Sequence, residues 1–396
     1  MKSELYFVGV SDVRKVEIMA DVQIREGSLP FRYLGIPLNA KRLSVVHSQP
    51  LLEKMVAKVR HCTARFLTYE GRVQLEQSVL YSVQNYWSQI FVFPKKVMKA
   101  IESICRQFLW SRDVGNYRRA LVGWDEVCQS RACGGLNLVH LPTWNKACIF
   151  KLLGALHNKE DKLWIRWIHA YYIKDAQFMT MEVHGSFLMK KLLKLRTVIN
   201  LSAGGMQILN TSSFSQKVAY LVLRPAGDKV EWKELVLNNM ATPRAHFILW
   251  LALKRRLASK DRLIRFNINV DPLCAYCGTV NETISHLLFG CTGIKEVWKS
   301  ILVWMNVPRA VGDWSVEAID ASRMSRGKHV KSRFLKVVFT ELVYAVWKER
   351  NARIFQTACT DFSLILRRVV QTVICGCSFD PKIRAFCEAL NSYPSV

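Results

Sequence analysis

Four residues carry the sharpest chemistry in this 396-residue chain: Cys274, Cys277, His286 and Cys291, within LCAYCGTVNETISHLLFGCTGIKEVW over 273–298. The spacing C-x2-C-x8-H-x4-C lets three thiolates and one imidazole converge tetrahedrally on a single zinc ion. With every coordination position filled by protein, no place is left for a reactive water, so such a metal is structural. Two other readings stay open at this level. The chain has 12 cysteines, so these could be buried thiols beside an unrelated histidine, and Cys274 with Cys277 could be a redox pair.

Local elements must bring these ligands together. Gly278 follows the second cysteine and can take the positive φ that a tight Cys-x-x-Cys turn needs. Thr279 and Glu282 have the spacing of a capping box, which predicts a helix starting there. On that helix Ile284, Leu287 and Leu288 share one face and His286 points the other way. Cys291, five positions on, cannot sit beside His286 on a continuous α-helix; Gly290 is the expected stop that lets the chain fold back.

The flanks add charge. Upstream, Thr242 caps a helix with Pro243 at its first position, and the run Phe247–Leu251 predicts burial around most of its circumference. Its exit carries Lys254, Arg255, Arg256, Lys260, Arg262 and Arg265, opposed within the stretch only by Asp261. A cationic strip beside a zinc knuckle points to nucleic acid; the alternative is solvated residues that favourably end a helix dipole. Downstream, Ile294, Val297, Trp298, Ile301 and Trp304 keep helical spacing.

The whole chain agrees with a polyanionic partner. Lys and Arg number 57 against 31 Asp and Glu, a formal charge of +26, which favours RNA or DNA over a membrane surface. The first fifteen residues carry both signs of charge and no apolar core, so they do not read as a signal peptide. The longest apolar run, 247–253, is far short of a membrane span. The expected location is intracellular, nucleus or cytoplasm, with reduced thiols and no membrane partner.

The expected fold class is mainly α, with a short β and turn segment at the N-terminus, a helical bundle, and a small C-terminal zinc-knuckle domain. Residues 27–38, rich in Gly, Pro and aromatics, suggest strands and turns. Three helices follow, with proposed faces Leu52/Val56/Val59/Thr63/Phe66, Leu75/Val79/Val83/Tyr86 and Val97/Ile101/Ile104/Cys105/Phe108. The third and its exit carry Lys95, Lys96, Lys99, Arg106, Arg112, Arg118 and Arg119, a candidate phosphate-facing surface or merely a solvated face. Gly134-Gly135 reads as a turn, Trp144, Trp164 and Trp167 as core, and 201–229 as a linker. A last helix is expected over 334–355, while Cys375 and Cys377 have no histidine partner nearby.

These residues resemble the C-terminal part of a plant LINE-type, non-LTR retrotransposon reverse transcriptase. The resemblance rests on Lys2-Ser3 with Gly27 to Leu38, Gly71-Arg72 with Leu75 and Ser78-Val79-Leu80, Ile101-Glu102 with Cys105-Arg106 and Phe108-Leu109-Trp110, Gly134-Gly135-Leu136, Trp144-Asn145-Lys146-Ala147, and the zinc region from about Val230 to Trp298. It implies the truncated end of a polymerase palm over 1–45, a helical thumb and connection over 46–200, a zinc-binding domain over 230–305 and a helical extension over 306–396. It also implies that the fingers, the palm's paired metal-binding aspartates, the endonuclease and any ribonuclease H domain lie outside these residues; no Asp-Asp pair occurs in them. Asn267 stands where such relatives often have Gly, a mild change because Asn tolerates the left-handed conformation. The expectation is therefore a catalytically inactive remnant that keeps a structural zinc and salt-sensitive nucleic-acid binding. A zinc-stapled scaffold that docks a protein or a separately encoded reverse transcriptase, or a decayed fragment with no selected role, are the alternatives.

Overall fold

Helical periodicity recurs through most of the chain, and its computed structural model is mainly α with one two-stranded sheet. The structure describes residues 3–38, 43–61, 67–111, 120–174, 187–200, 205–209, 214–225, 227–356 and 359–390. The sheet is the hairpin β1 (Phe31–Tyr33) and β2 (Ile36–Leu38), with Phe31 opposite Leu38. Its turn, Leu34-Gly35, has φ of 50° and 80°, both on the left-handed side, as tight hairpins need. Helix α1 (Asp12–Val22) precedes it, capped by Ser11, and buries no residue.

A first core gathers the hairpin with α2 (Gln49–His61), α3 (Tyr69–Leu75), α4 (Tyr81–Ser88) and α5 (Lys95–Ser111). The α5 stripe Val97, Ile101, Cys105 and Phe108 is buried as expected, with Ile104 only partly so. The other two faces differ. In α2 the buried residues are Leu51, Met55 and Val59, with Leu52 and Val56 on the shoulder; Thr63 and Phe66 lie outside the described residues. Between α3 and α4 a π-turn, Glu76–Leu80, inserts extra rotation. It carries Leu80, Gln84 and Trp87 inward and leaves Leu75, Val79 and Val83 half-buried and Tyr86 exposed, a phase change that a constant 3.6 period misses.

A second core holds α7 (Leu141–His157), α8 (Leu163–Ile168), α9 (Phe187–Asn200), α10 (Gly205–Leu209) and α11 (Gln216–Leu223), reached from α5 through α6 (Trp124–Cys128). The span read as a linker therefore contains packed helix: Ala219 and Tyr220 of α11 are buried, and the Tyr220 hydroxyl accepts the His140 backbone N–H at 3.1 Å. Trp144 is core as expected; Trp167 is 49% exposed, against Tyr171 and Tyr172, because the α8 face it occupies has no described partner.

The largest core surrounds the cysteine-rich segment. Helices α12 (Lys233–Val236), α13 (Pro243–Leu253), α14 (Lys260–Arg265), α15 (Thr292–Trp304), α16 (Trp314–Met324), α17 (Val330–Phe355), α18 (Phe362–Cys377) and α19 (Pro381–Ala389) contribute to or border it. Thr242 and Pro243 start α13 as expected, with the Thr242 hydroxyl accepting the Ala245 N–H. Helix α17 fills the centre, and Phe289, Trp298, Trp314 and Phe339 form a ring cluster against it. Apolar contact is continuous from Leu235 to Ile383, across the position between 305 and 306 where the knuckle was expected to end.

Candidate metal centre

The cysteine pair sits at the tip of a short hairpin. Cys274 N–H donates to Val280 O at 2.8 Å and Glu282 N–H to Pro272 O at 2.8 Å, with Leu273 bridging Asn281. The tip closes when Gly278 N–H reaches Cys274 O at 2.9 Å, and Gly278 takes φ +65° as expected. Asn267, in the approach to the hairpin, is left-handed at φ +59°.

The chain then turns helical, though not where the capping box placed it. Residues 279–283 are hairpin and turn; helix begins at Ile284, and Thr283 rather than Thr279 caps it, its hydroxyl accepting the His286 N–H at 3.1 Å. Glu282 is thereby freed from a capping role and is fully buried. His286–Gly290 is a π-turn, with Cys291 N–H donating to His286 O at 2.6 Å. The wider turn changes the argument about Cys291. Five residues make about one turn of π-helix, so His286 and Cys291 meet without a left-handed stop, and Gly290 is absent from the positive-φ residues. Leu287, Leu288 and Phe289 are buried beneath while His286 points to the hairpin.

The four donor atoms lie within 4.8 Å of one another. Cys277 Sγ and His286 Nε2 are 3.3 Å apart. Bond lengths of about 2.3 Å to sulfur and 2.0–2.1 Å to nitrogen give tetrahedral edges of roughly 3.5–3.8 Å, so the cluster fits a zinc-sized ion after small inward movement of its widest pairs. The local field favours the thiolate at two of the three sulfurs, Cys274 and Cys277. A hydrogen bond from Cys291, opposed by burial, brings the Cys274 thiol down to about 5. Burial pushes Cys277 up, but hydrogen bonds from Thr279 and His286 outweigh it and lower the thiol to about 7. Cys291, which supplies the proton to Cys274, is raised correspondingly. Tyr276 N–H also points at Cys274 Sγ, 3.4 Å away, the kind of backbone donor that orients a ligating sulfur.

Residues 214–298 match the family described as zinc-binding in reverse transcriptase. The matched segment runs from α11 into α15. The chain is also 24% identical over 148 residues to a protein of Arabidopsis thaliana titled "Putative ribonuclease H protein", the match covering 36% of this chain and 24% of the relative. The chain thus spans about a quarter of that relative's length. The family match is thus to a segment found in reverse transcriptases, and the relative's title names a ribonuclease H.

The segment that carries the four candidate ligands is held by residues that spacing alone does not mark. Glu282 accepts from the Arg350 guanidinium of α17 at 2.6 Å and from Lys260 N–H at 3.0 Å. Tyr276, between the first two cysteines, donates its hydroxyl to Val346 O at 2.6 Å and stacks under Arg353, 4.5 Å from the ring centre. Gly134 is left-handed at φ +82°, and its carbonyl accepts the Trp250 indole N–H at 2.9 Å; a Cβ on Gly135 would stand 2.1 Å from Gln129 O. The Gly-Gly turn is thus a backbone crossing that buttresses α13.

The basic strip is divided. Lys254 donates to Glu126 at 3.0 Å and Lys260 to Asp271 and Leu273 O at 3.3 and 2.7 Å, so both serve internal contacts with carboxylates outside the strip. Arg265 pairs with Asp261 at 2.5 Å, and Arg255 donates to Ser315 at 2.9 Å; both arginines are exposed. Arg256 is half-buried and Arg262 lies over the Phe266 ring. On α5, Lys95, Lys96, Lys99 and Arg106 are all exposed; Arg112, Arg118 and Arg119 lie outside the described residues. No helix among the described residues is long and apolar enough to cross a membrane.

Proposed function

We propose that this chain is a retroelement-derived, zinc-stabilised nucleic-acid-binding protein related to LINE-type reverse transcriptases, without polymerase activity of its own. Convergence of Cys274, Cys277, His286 and Cys291 within 4.8 Å carries the zinc part of this reading. The donor set of three sulfurs and one nitrogen suits zinc, and four protein ligands suit a structural ion. Zinc here would neutralise the thiolates and fix the hairpin against the π-turn.

Binding to RNA or DNA is supported by the charge of +26 and by the exposed Lys95, Lys96, Lys99, Arg255 and Arg265. Polymerase chemistry needs carboxylates that hold two metal ions, and these 396 residues contain no adjacent Asp pair. Elemental analysis of purified protein should give about one zinc per chain, and binding to oligonucleotides should weaken steeply with salt. No zinc in folded protein would end the metal reading; salt-independent binding, or none at low salt, would end the nucleic-acid reading.

One observation favours a second reading, a scaffold that docks a protein such as a separately encoded reverse transcriptase. Trp167, Tyr171 and Tyr172 form an exposed aromatic cluster beside α8, the residue types that anchor protein interfaces. A partner retained after nuclease treatment and lost on Trp167→Ala would support it.

A further inference from the structure

A cleft of about 570 Å³ lies between α5, α7 and α9, well away in sequence from the metal ligands. Five lysines line it: Lys95 and Lys96 from the first turn of α5, Lys146 from α7, and Lys191 and Lys194 from α9. No aspartate or glutamate is among its described lining residues. Its floor is apolar, with Met98, Ile149 and Leu195. The walls are held by Asn145, which is 4% exposed: its side-chain oxygen accepts Phe93 N–H at 3.0 Å, and its amide donates to Ser88 O and Phe91 O at 3.1 and 2.7 Å. The link that leads into α5 is therefore pinned to α7, and the backbone that carries the lysines of these two walls is held in place.

We propose that this cleft holds a single strand of nucleic acid, with phosphates on the lysines and an unpaired base over the apolar floor. The inference rests on the nucleic-acid reading above and gives it a site and a strand preference. Lys95, Lys96, Lys146 and Lys194 form no ion pair among the described residues, and four such ammonium groups around an apolar slot call for a partner that is both multiply anionic and partly apolar. Inorganic phosphate satisfies only the rim. A duplex offers phosphates but keeps its bases stacked inside, whereas a single strand presents charge and a free base face together. Lys146, Lys191 and Lys194 thereby join Lys95 and Lys96, which sequence reading had placed on an isolated helix face.

The test compares wild-type chain with Lys146→Gln/Lys194→Gln, two exposed positions, by fluorescence anisotropy on an oligothymidylate single strand and on a matching duplex across a salt series. A charge-matched control, Lys299→Gln/Arg384→Gln, changes exposed residues elsewhere. The cleft variant should bind the single strand about tenfold more weakly, and its log–log salt slope should fall by about 1.4, roughly 0.7 for each lost phosphate contact. The control should lose less of both. If wild type binds but the cleft variant keeps its affinity and slope, the cleft assignment fails while the nucleic-acid reading stands. If wild type binds neither oligonucleotide at low salt, both fail. Lysine-dependent binding to phosphatidylserine vesicles that the single strand does not displace would make the occupant a lipid surface and overturn the inference.

Discussion

Glu282 and Arg350 form a forked ion pair sealed from solvent, with side-chain exposures of 0% and 3%. The Glu282 oxygens receive the Arg350 Nη2 at 2.6 Å and its Nε at 3.1 and 3.2 Å. Glu282 lies between the second and third metal ligands, and Arg350 belongs to the central helix α17. The pair therefore locks the metal hairpin to the core of the C-terminal region.

Breaking such a pair from one side leaves a buried charge without a partner. Arg350→Met should destabilise the chain by roughly 3–5 kcal/mol in urea unfolding, and Glu282→Gln combined with it should recover part of that loss. Equal stability of the single and double variants would mean that the pair is not coupled.

Loss of a ligand should act on metal and fold together. His286→Ala and Cys291→Ala are each expected to lose the zinc and to unfold α15 and its surroundings, because a structural site's binding energy is folding energy. Elemental analysis beside far-ultraviolet circular dichroism reads both; unchanged zinc content in either variant would remove that residue from the ligand set.

Docking and ligation separate at Tyr276. Tyr276→Phe deletes the hydroxyl donated to Val346 O and leaves every ligand in place. A loss of about 1 kcal/mol is expected, with zinc content unchanged. A large drop in zinc would show that this hydroxyl is needed to form the site itself.

Glu76 in the first π-turn is buried, and burial raises its carboxyl to about 8. Its Oε2 has no hydrogen-bond partner. The folded chain thus holds a proton that the unfolded chain releases near pH 4.5, so the unfolded state binds fewer protons between pH 4.5 and 8 and stability falls as pH rises through that window. The shift sets an upper bound on the order of 5 kcal/mol. Glu76→Gln should flatten the decline and be more stable than wild type at pH 8. A wild-type stability that rises with pH through the window, unaltered by the substitution, would contradict a neutral buried carboxyl.

Residue type and spacing alone reveal the chemistry of the candidate centre and much of its framing. Three thiols and an imidazole at short spacing, the positive-φ turn at Gly278, the Thr242-Pro243 helix start and the α5 stripe all follow from local rules about ligand type, missing Cβ atoms and helical period. They are legible because each depends on a few neighbouring residues.

Packing in three dimensions resolves what those rules leave open. Thr279-x-x-Glu282 has the pattern of a capping box, yet Glu282 is taken by Arg350, 68 positions away, because a buried guanidinium requires a carboxylate more strongly than a helix start requires that residue. The π-turns at 76–80 and 286–290 shift side-chain phase where packing demands it, and no local period announces them. Charge behaves likewise. Lys254 and Lys260 look free in the strip but are matched by Glu126 and Asp271, while Lys146 and Lys194 look isolated and are brought beside Lys95 and Lys96. Electrostatic and packing partners are set by distance in space, and only the folded chain fixes that distance.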